Sequence, residues 1–181
     1  NQDIVIFKVI KSRSGLEVAD HKTMLNEYYQ DFLEQLPEPL SPEDFTFYAG
    51  TLQKRLEKYR ASFAQAQDLS LLKKEKSGLH FVEDNIMDYF RSLVNLKVYD
   101  DLFNVYQDLF TEDEKEVTAK TIEVLSRNNY NVVTSAKELF IHRNTLVFRL
   151  NKIKSTLNID PIANACDREF LNELAYYFRN R

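Results

Sequence analysis

The chain has few of the residues that build disulfide scaffolds, metal sites or turn-rich folds. Its 181 residues include one cysteine, three glycines, four prolines, three histidines and no tryptophan. A single cysteine, Cys166, cannot close a disulfide within the chain, and no set of Cys and His residues has the spacing of metal ligands. The sequence therefore predicts no structural metal and no cofactor, and we expect a cytoplasmic protein.

Long apolar runs are also absent. No apolar stretch reaches about 18 residues, and the first residues, Asn1-Gln2-Asp3, include no basic segment, so we expect no transmembrane helix and no signal peptide. Hydrophobic residues make up 44% of the chain and charged residues 29%. With so little Gly and Pro, this composition is typical of a compact, mostly helical protein. The chain does not begin with Met, so the sequence leaves open whether it is a fragment of a longer one.

The charge is unevenly distributed along the chain, although the net charge is only -4. Between residues 127 and 158, six cations and one carboxylate give a net charge of +5, so the remainder carries -9. The six cations are Arg127, Lys137, Arg143, Arg149, Lys152 and Lys154. A basic segment on an acidic chain predicts one anion-binding surface.

Strand-like and helix-like patterns alternate in the first part of the chain and predict a small α/β layer. The predicted strands cover residues 3–10, which should be buried, 44–50 and 79–82. The predicted helices cover residues 23–36 and 51–72. A turn at residues 11–15 and a charged loop at residues 73–78 separate these elements. Further helices are predicted to begin at Asp84, around Val98, and at Glu112-Asp113-Glu114, where acidic side chains favour a helix start.

Residues 132–154 predict a short helix, a tight turn and a second helix. Ala136 is small enough to let the two helices cross closely. The apolar side chains expected to fill the corner between them are Leu139, Ile141 and Leu146. Phe140 stands where many such turns have glycine, so we expect this turn to form without a residue that adopts positive φ easily.

The second of these helices has a predicted inner stripe and an outer face. Leu146, Leu150, Ile153 and Leu157 recur at helical spacing and form the stripe. Outward side chains of the amide, hydroxyl, cationic and apolar types can read base edges, touch thymine methyl groups or hold phosphates. The predicted DNA contacts are Arg143, Asn144, Thr145, Phe148, Arg149, Asn151 and Lys152.

The string from Ala136 to Leu150, with His-Arg-Asn-Thr-Leu at residues 142–146, resembles the C-terminal helix-turn-helix of the PucR/CdaR family. These proteins are purine-catabolism and sugar-diacid regulators, and the similarity continues to a final helix near residues 167–178. The resemblance implies a DNA-binding transcriptional regulator and not an enzyme. It also implies that Arg143 and Thr145 lie at the DNA.

The segment upstream is similar to the degenerate GGDEF-like domain of CdaR-type regulators, through a strand ending at Gly50 and a helix containing Tyr59-Arg60 and Ala64-Gln65-Ala66. That domain would be truncated here. A nucleotide cyclase has an acidic loop before the first strand, where this chain has only residues 1–3, so we expect no cyclase activity. The predicted fold class is α+β, mostly α, with a small N-terminal α/β layer followed by an all-α helix-turn-helix domain. We assign residues 1–83 to a partial GGDEF-like region, 84–114 to a helical linker and 115–181 to the DNA-binding domain.

Several side chains also have a chemical interpretation that we weigh against a structural one. His142 could be a ligand or base, but a histidine in this turn is more simply the cap of the next helix. His21, His80 and Cys166 have no partner set in the sequence, and we assign them structural roles. No catalytic residue is predicted.

Clusters of carboxylates and of aromatic side chains also have both a functional and a structural interpretation. The neighbouring carboxylates at residues 100–101 and 112–114 imitate an acid–base pair, yet helix starts attract acids for electrostatic reasons. The aromatic groups at residues 28–32 and 176–178 fit core packing, with a ligand box or a dimer face as the alternatives.

The predicted function is that of a sequence-specific regulator that binds double-stranded DNA as a homodimer, because one helix-turn-helix reads only a few base pairs. The alternative is a protein-interaction or scaffolding module whose helix-turn-helix has lost DNA binding, and an enzyme fragment comes third. A small-molecule effector would act through regions that the sequence does not identify. No membrane partner is expected.

Overall fold

A computed structural model describes residues 4–8, 17–73 and 77–181. In these ranges the chain forms eight α-helices and a two-stranded parallel sheet, which confirms the mostly helical α+β fold class. The chain divides into two compact units, Asn1–Val94 and Asn95–Arg181. Within the described ranges, every helix is too short or too polar to cross a bilayer. The assignment of residues 1–83 to a GGDEF-like region stays a prediction.

The first unit contains three helices and both strands. They are α1 (Glu17–Glu34), β1 (Thr46–Ala49), α2 (Tyr59–Leu72), β2 (Gly78–Phe81) and α3 (Ile86–Leu93), with short 3-10 helices at Pro42–Asp44, Leu56–Lys58 and Val82–Asn85. The strands pair in parallel, with Thr46 opposite Gly78 and Ala49 opposite Phe81. Parallel neighbours need a crossover connection, which α2 provides.

Gly50 allows the chain to pass very close to α2 directly after β1. A Cβ atom at this position would lie 1.9 Å from the carbonyl oxygen of Ser62, so no larger residue fits without a backbone shift. The next residue is held by Gln65, whose Oε1 accepts the backbone N–H of Thr51 at 3.0 Å and its hydroxyl at 2.7 Å. The helix predicted over residues 51–72 therefore begins later, at Tyr59, because these bonds hold the preceding backbone in a non-helical path.

Aromatic rings form the packing between α1 and β1. Tyr29 is buried and meets Phe47 edge-on, with ring centroids 5.1 Å apart. Phe32 meets Phe45 and Phe47 at 5.4 and 5.1 Å. Since these rings face one another, the aromatic group at residues 28–32 belongs to the core of this unit, as the core interpretation predicts.

The two histidines of the first unit lie in structural contacts. The buried His21 ring has Nε2 3.2 Å from a carboxylate oxygen of Glu83 and Nδ1 2.8 Å from the carbonyl oxygen of Val18. His80 Nε2 lies 3.0 Å from the carbonyl oxygen of Ser77. No group of three or more His, Cys, Asp or Glu residues in the described ranges is arranged to hold a metal ion.

The prediction of a buried strand at residues 3–10 is wrong for the part that is described. Residues 4–8 have no strand structure and all five are exposed. A strand needs a neighbour whose backbone groups pair with its own, and among the described residues β1 and β2 pair only with each other. The rest of that predicted strand, the turn at residues 11–15 and the middle of the charged loop at residues 73–78 lie outside the described residues.

The second unit is all-helical. It contains α4 (Leu96–Gln107), α5 (Glu112–Arg127), α6 (Val132–Glu138), α7 (Arg143–Leu157) and α8 (Ala165–Asn180). Helix α5 starts with a capping box in which Thr111 and Glu114 bond to each other's backbone N–H, as the acidic start predicts. The side chains that are fully buried in its core include Ile122, Leu125, Leu146, Leu171 and Leu174.

Helix α4 packs on α8 through aromatic side chains and is part of the second unit. The rings of Tyr99 and Tyr176 lie 5.1 Å apart, and Tyr177 is buried against Phe103. The Tyr177 hydroxyl donates to Asp100 at 2.7 Å. This hydrogen bond, followed by that from the C-terminal Arg181, lowers the pKa of Asp100. The aromatic group at residues 176–178 is therefore core, and Asp100 is a structural carboxylate.

Candidate nucleic-acid interface

Helices α6 and α7 form the predicted helix-turn-helix. The N-cap of α6 is Asn131, whose side chain accepts the backbone N–H groups of Val133 and Thr134 at 3.0 and 3.1 Å. Ala136 is buried where the two helices approach each other. The corner residues predicted from the sequence, Leu139 and Ile141, pack partly buried against the same core.

The turn between α6 and α7 depends on a left-handed residue. Phe140 has φ of +55°, and its side chain is 96% exposed. The Ile141 N–H donates to the Ala136 carbonyl, and the Phe140 N–H donates to the Lys137 carbonyl, both at 3.0 Å. These two bonds are the Schellman pattern, which requires positive φ at the position of Phe140. The turn therefore has no residue that adopts positive φ easily, as expected, and the bonds that close α6 impose this φ on Phe140.

His142 caps the helix that carries the predicted DNA contacts. Its Nδ1 atom accepts the backbone N–H of Asn144 at 3.2 Å, and its own backbone is extended, as at other N-caps. The prediction of a cap is confirmed. The C-cap of α7 is Asn158, which has φ of +55°.

The inner face of α7 agrees with the predicted stripe. Leu146, Leu150 and Ile153 are buried, and Leu157 packs partly buried against the same core. The opposite face is open to solvent. Its exposed side chains are Arg143, Asn144, Thr145, Phe148, Asn151, Lys152 and Ser155.

Four polar side chains on the exposed face have all their hydrogen-bonding groups free. Across residues 4–8, 17–73 and 77–181, no side-chain hydrogen bond or ion pair is made by Arg143, Asn144, Thr145 or Asn151. Phe148, on the same face, is 70% exposed. The structure thus brings together a guanidinium, two amides, a hydroxyl and an apolar ring, which are groups suited to reading the major groove.

The other two predicted contacts, Arg149 and Lys152, bond to α5. The Nη1 atom of Arg149 donates to the hydroxyl of the buried Thr121 at 3.1 Å. The ammonium of Lys152 pairs with the carboxylate of Glu114. This ion pair, followed by the Thr111 backbone N–H, lowers the pKa of Glu114. Both cations are therefore engaged within the protein, unlike the four free side chains.

Ion pairs also reduce the free charge of the basic segment. Arg127 pairs with Glu138 at 2.8 Å, and Lys154 pairs with Asp160. Three cations of this segment pair with no carboxylate in the part of the chain that is described: Lys137, Arg143 and Arg149, of which Arg149 donates to the Thr121 hydroxyl. The surface offered to an anion is consequently less cationic than the count of +5 indicates.

Sequence reasoning missed the roles of two α5 residues. The sequence pattern indicates only an acid at a helix start for Glu114, and it gives no signal for Thr121. The Thr-x-x-Glu spacing of Thr111 and Glu114 is a readable signal for the capping box. The pairing of Glu114 with a lysine 38 residues away has no local signal.

Comparison with known proteins agrees with this geometry. Residues 118–165, from within α5 to the first residue of α8, match the PucR C-terminal helix-turn-helix domain. The carbohydrate diacid regulator of Escherichia coli (strain K12) is 38% identical over 63 residues, which cover 35% of this chain and 16% of that protein. The chain thus spans about a sixth of this relative's length, and no solved structure matches it. Residues 118–165 are therefore similar to the helix-turn-helix domain that ends PucR proteins, and part of the chain is similar to a carbohydrate diacid regulator.

Proposed function

We propose that the protein is a sequence-specific transcriptional regulator that places α7 in the major groove of double-stranded DNA. The observation that carries this proposal is the set of free, exposed polar side chains on the first turn of α7, opposite the buried stripe. A helix-turn-helix presents the N-terminal residues of its second helix to base edges. Arg143, Asn144 and Thr145 occupy those positions here.

The proposed roles follow from side-chain chemistry. Arg143 reads guanine and Asn144 reads adenine, since their donors and acceptors match the major-groove edges of these bases. Thr145 contacts a phosphate beside the helix N-terminus, where the macrodipole attracts anions. Phe148 contacts thymine methyl groups, and Asn151 extends the polar face. Arg149 and Lys152 contribute backbone contacts at the edge of the interface.

We further propose that the protein acts as a homodimer in the cytoplasm, where bacterial DNA lies. One α7 contacts only a few base pairs, and paired half-sites about 34 Å apart, or a multiple of that, give regulators of this type their specificity. An effector, where one operates, would bind outside the helix-turn-helix. Sedimentation of the chain alone and on DNA tests the dimer, and a strict monomer in both states would contradict it.

Selection of binding sites from random duplex DNA tests the main proposal with the full 181-residue chain. We expect a preferred sequence to be enriched. Between about 50 and 200 mM salt, affinity for it should fall about tenfold for one module and about a hundredfold or more for two, because displaced counterions return to the phosphates. No enrichment, together with a flat salt titration, would favour the protein-interaction module instead.

A further inference from the structure

The ion pair between Glu114 and Lys152 joins the start of α5 to the exposed face of α7. The Lys152 side chain is 51% exposed and that of Glu114 is 34% exposed, so the pair lies at the surface and can exchange partners. The neighbouring Asn151 is exposed and has no side-chain partner among the residues that the structure describes. A carboxylate of the protein therefore sits beside the surface on which the proposed function places DNA.

The Glu114 carboxylate is held in place from both sides. One oxygen accepts the Thr111 backbone N–H at 3.0 Å in the capping box, and the other contacts the Lys152 ammonium. The Glu114 backbone N–H in turn donates to the Thr111 hydroxyl at 3.3 Å. Since the cap already orders this side chain, little further side-chain entropy is lost when it pairs with Lys152. The lowered pKa of Glu114 agrees with a carboxylate that stays ionised.

A carboxylate and a DNA phosphate can bind the same lysine ammonium. Each offers anionic oxygens, and the lysine ammonium is a compact point charge that accepts either partner. The start of α5 adds further negative charge from Glu112, Asp113 and Glu116, of which Glu112 is paired with Lys115 at 2.6 Å. A phosphate that approaches Lys152 must therefore displace Glu114 against local repulsion.

We infer that Glu114 occupies the place of a DNA phosphate beside Lys152 and so limits the affinity of the protein for DNA. The inference rests on the proposed function, which supplies the DNA. In the bound state Lys152 exchanges the carboxylate for a phosphate, and the net gain from that contact is reduced by the ion pair that it replaces. Glu114 thus determines affinity without contacting a base.

The test is the variant Glu114→Gln in the full chain, measured on the DNA selected with the unmodified protein. Glutamine keeps the capping box, so the start of α5 is preserved while the negative charge is removed. We expect about two- to fivefold tighter binding at about 50 mM salt, in the range of exposed ion pairs. Since Lys152 contacts a phosphate in both proteins, the salt dependence of binding should stay about the same as for the unmodified chain.

A matched control separates the ion pair from general charge effects. Glu116→Gln removes the same charge two residues farther along α5, and Glu116 has no ion pair in the described ranges. It should change the affinity for DNA less than Glu114→Gln does. In a Lys152→Ala background, Glu114→Gln should behave like Glu116→Gln. Glu114→Ala, whose fold is checked by a thermal melt, provides a second way to remove the carboxylate.

The possible results are distinguishable. If Glu114→Gln and Glu114→Ala bind no more tightly than the unmodified chain, or gain equally without Lys152, the inference is overturned while the proposed function stands. If the unmodified chain and all its variants bind no DNA, the proposed function fails first and the inference fails with it. Tighter binding by Glu114→Gln that requires Lys152 supports both.

Discussion

The imidazole of His142 accepts the backbone N–H of Asn144 at 3.2 Å, so one residue of the His-Arg-Asn-Thr-Leu block starts the helix on which the others lie. The residues of this block have different structural roles. His142 caps α7, and Leu146 is fully buried in the core of the second unit. The three residues between them expose free polar groups. A single short string therefore carries the helix start, the packing and the proposed base contacts.

Removing the cap should destabilise the helix-turn-helix. His142→Ala leaves the first N–H groups of α7 without a side-chain acceptor and should lower the free energy of unfolding by about 1 kcal/mol. His142→Asn keeps an acceptor at the cap and should lose less. Chemical denaturation of both variants measures the difference. Equal losses for Ala and Asn would mean that the hydrogen bond to Asn144 contributes nothing.

A substitution at Phe140, the left-handed residue of the turn, should stabilise the protein instead. Phe140→Gly should raise the free energy of unfolding by about 0.5 to 1 kcal/mol, because glycine adopts positive φ without the steric cost that a Cβ brings. Little burial is lost, since the ring is almost wholly exposed. Phe140→Ala keeps the Cβ and serves as the control without this gain. A glycine variant less stable than the alanine variant in thermal and denaturant melts would contradict the strain argument.

A substitution on the inner face of α7 should lower stability, because it removes packing contacts. Leu146→Ala leaves a cavity between the helices at a fully buried position and should cost about 2 to 5 kcal/mol of stability, so DNA binding would fail through unfolding. Phe148→Ala, on the exposed face, should change stability little. Melting curves recorded beside binding titrations separate the two effects. A Leu146→Ala chain that melts like the unmodified protein would place this side chain outside the core.

Asp160 should contribute to stability in a pH-dependent way. The Lys154 ammonium, followed by the Ala163 backbone N–H, lowers the pKa of Asp160. A carboxyl group with a lowered pKa stabilises the fold above its unfolded pKa of about 4, and this contribution is lost as pH falls through the lower folded pKa. Asp160→Asn should therefore be less stable at about pH 7, and the difference should disappear in acid. Unfolding measured from neutral pH to about pH 2 checks this, and a difference that grew in acid would contradict it.

The helices of the second unit could be predicted because their signals are local. The repeat of Leu146, Leu150 and Ile153 marks the buried face of α7 from spacing alone. The sequence signals for the acidic start of α5 and for the cap at His142 likewise lie within a few residues of the helix ends. These features need no knowledge of the partner helices.

Other features depend on residues far away in the chain. The apolar run at residues 4–8 resembles a strand, but a strand also requires a neighbour. The positive φ of Phe140 follows from the bond between Ile141 and Ala136, and non-glycine residues adopt this conformation too rarely for a sequence rule. The position of Arg149 and Lys152 on the helix could be predicted, but their bonds to α5 depend on how α5 packs beside α7.

The most direct test of α7 as the reading element compares Asn144→Ala and Lys152→Ala against a library of DNA sites at two salt concentrations. Asn144→Ala should cost about 1 to 3 kcal/mol on the preferred site and relax the preference at one base pair, because it removes a base contact. Lys152→Ala should weaken binding to all sequences about equally and reduce the salt slope by about one, because it removes a phosphate contact. Full specificity in Asn144→Ala together with altered specificity in Lys152→Ala would show that α7 meets DNA with another face.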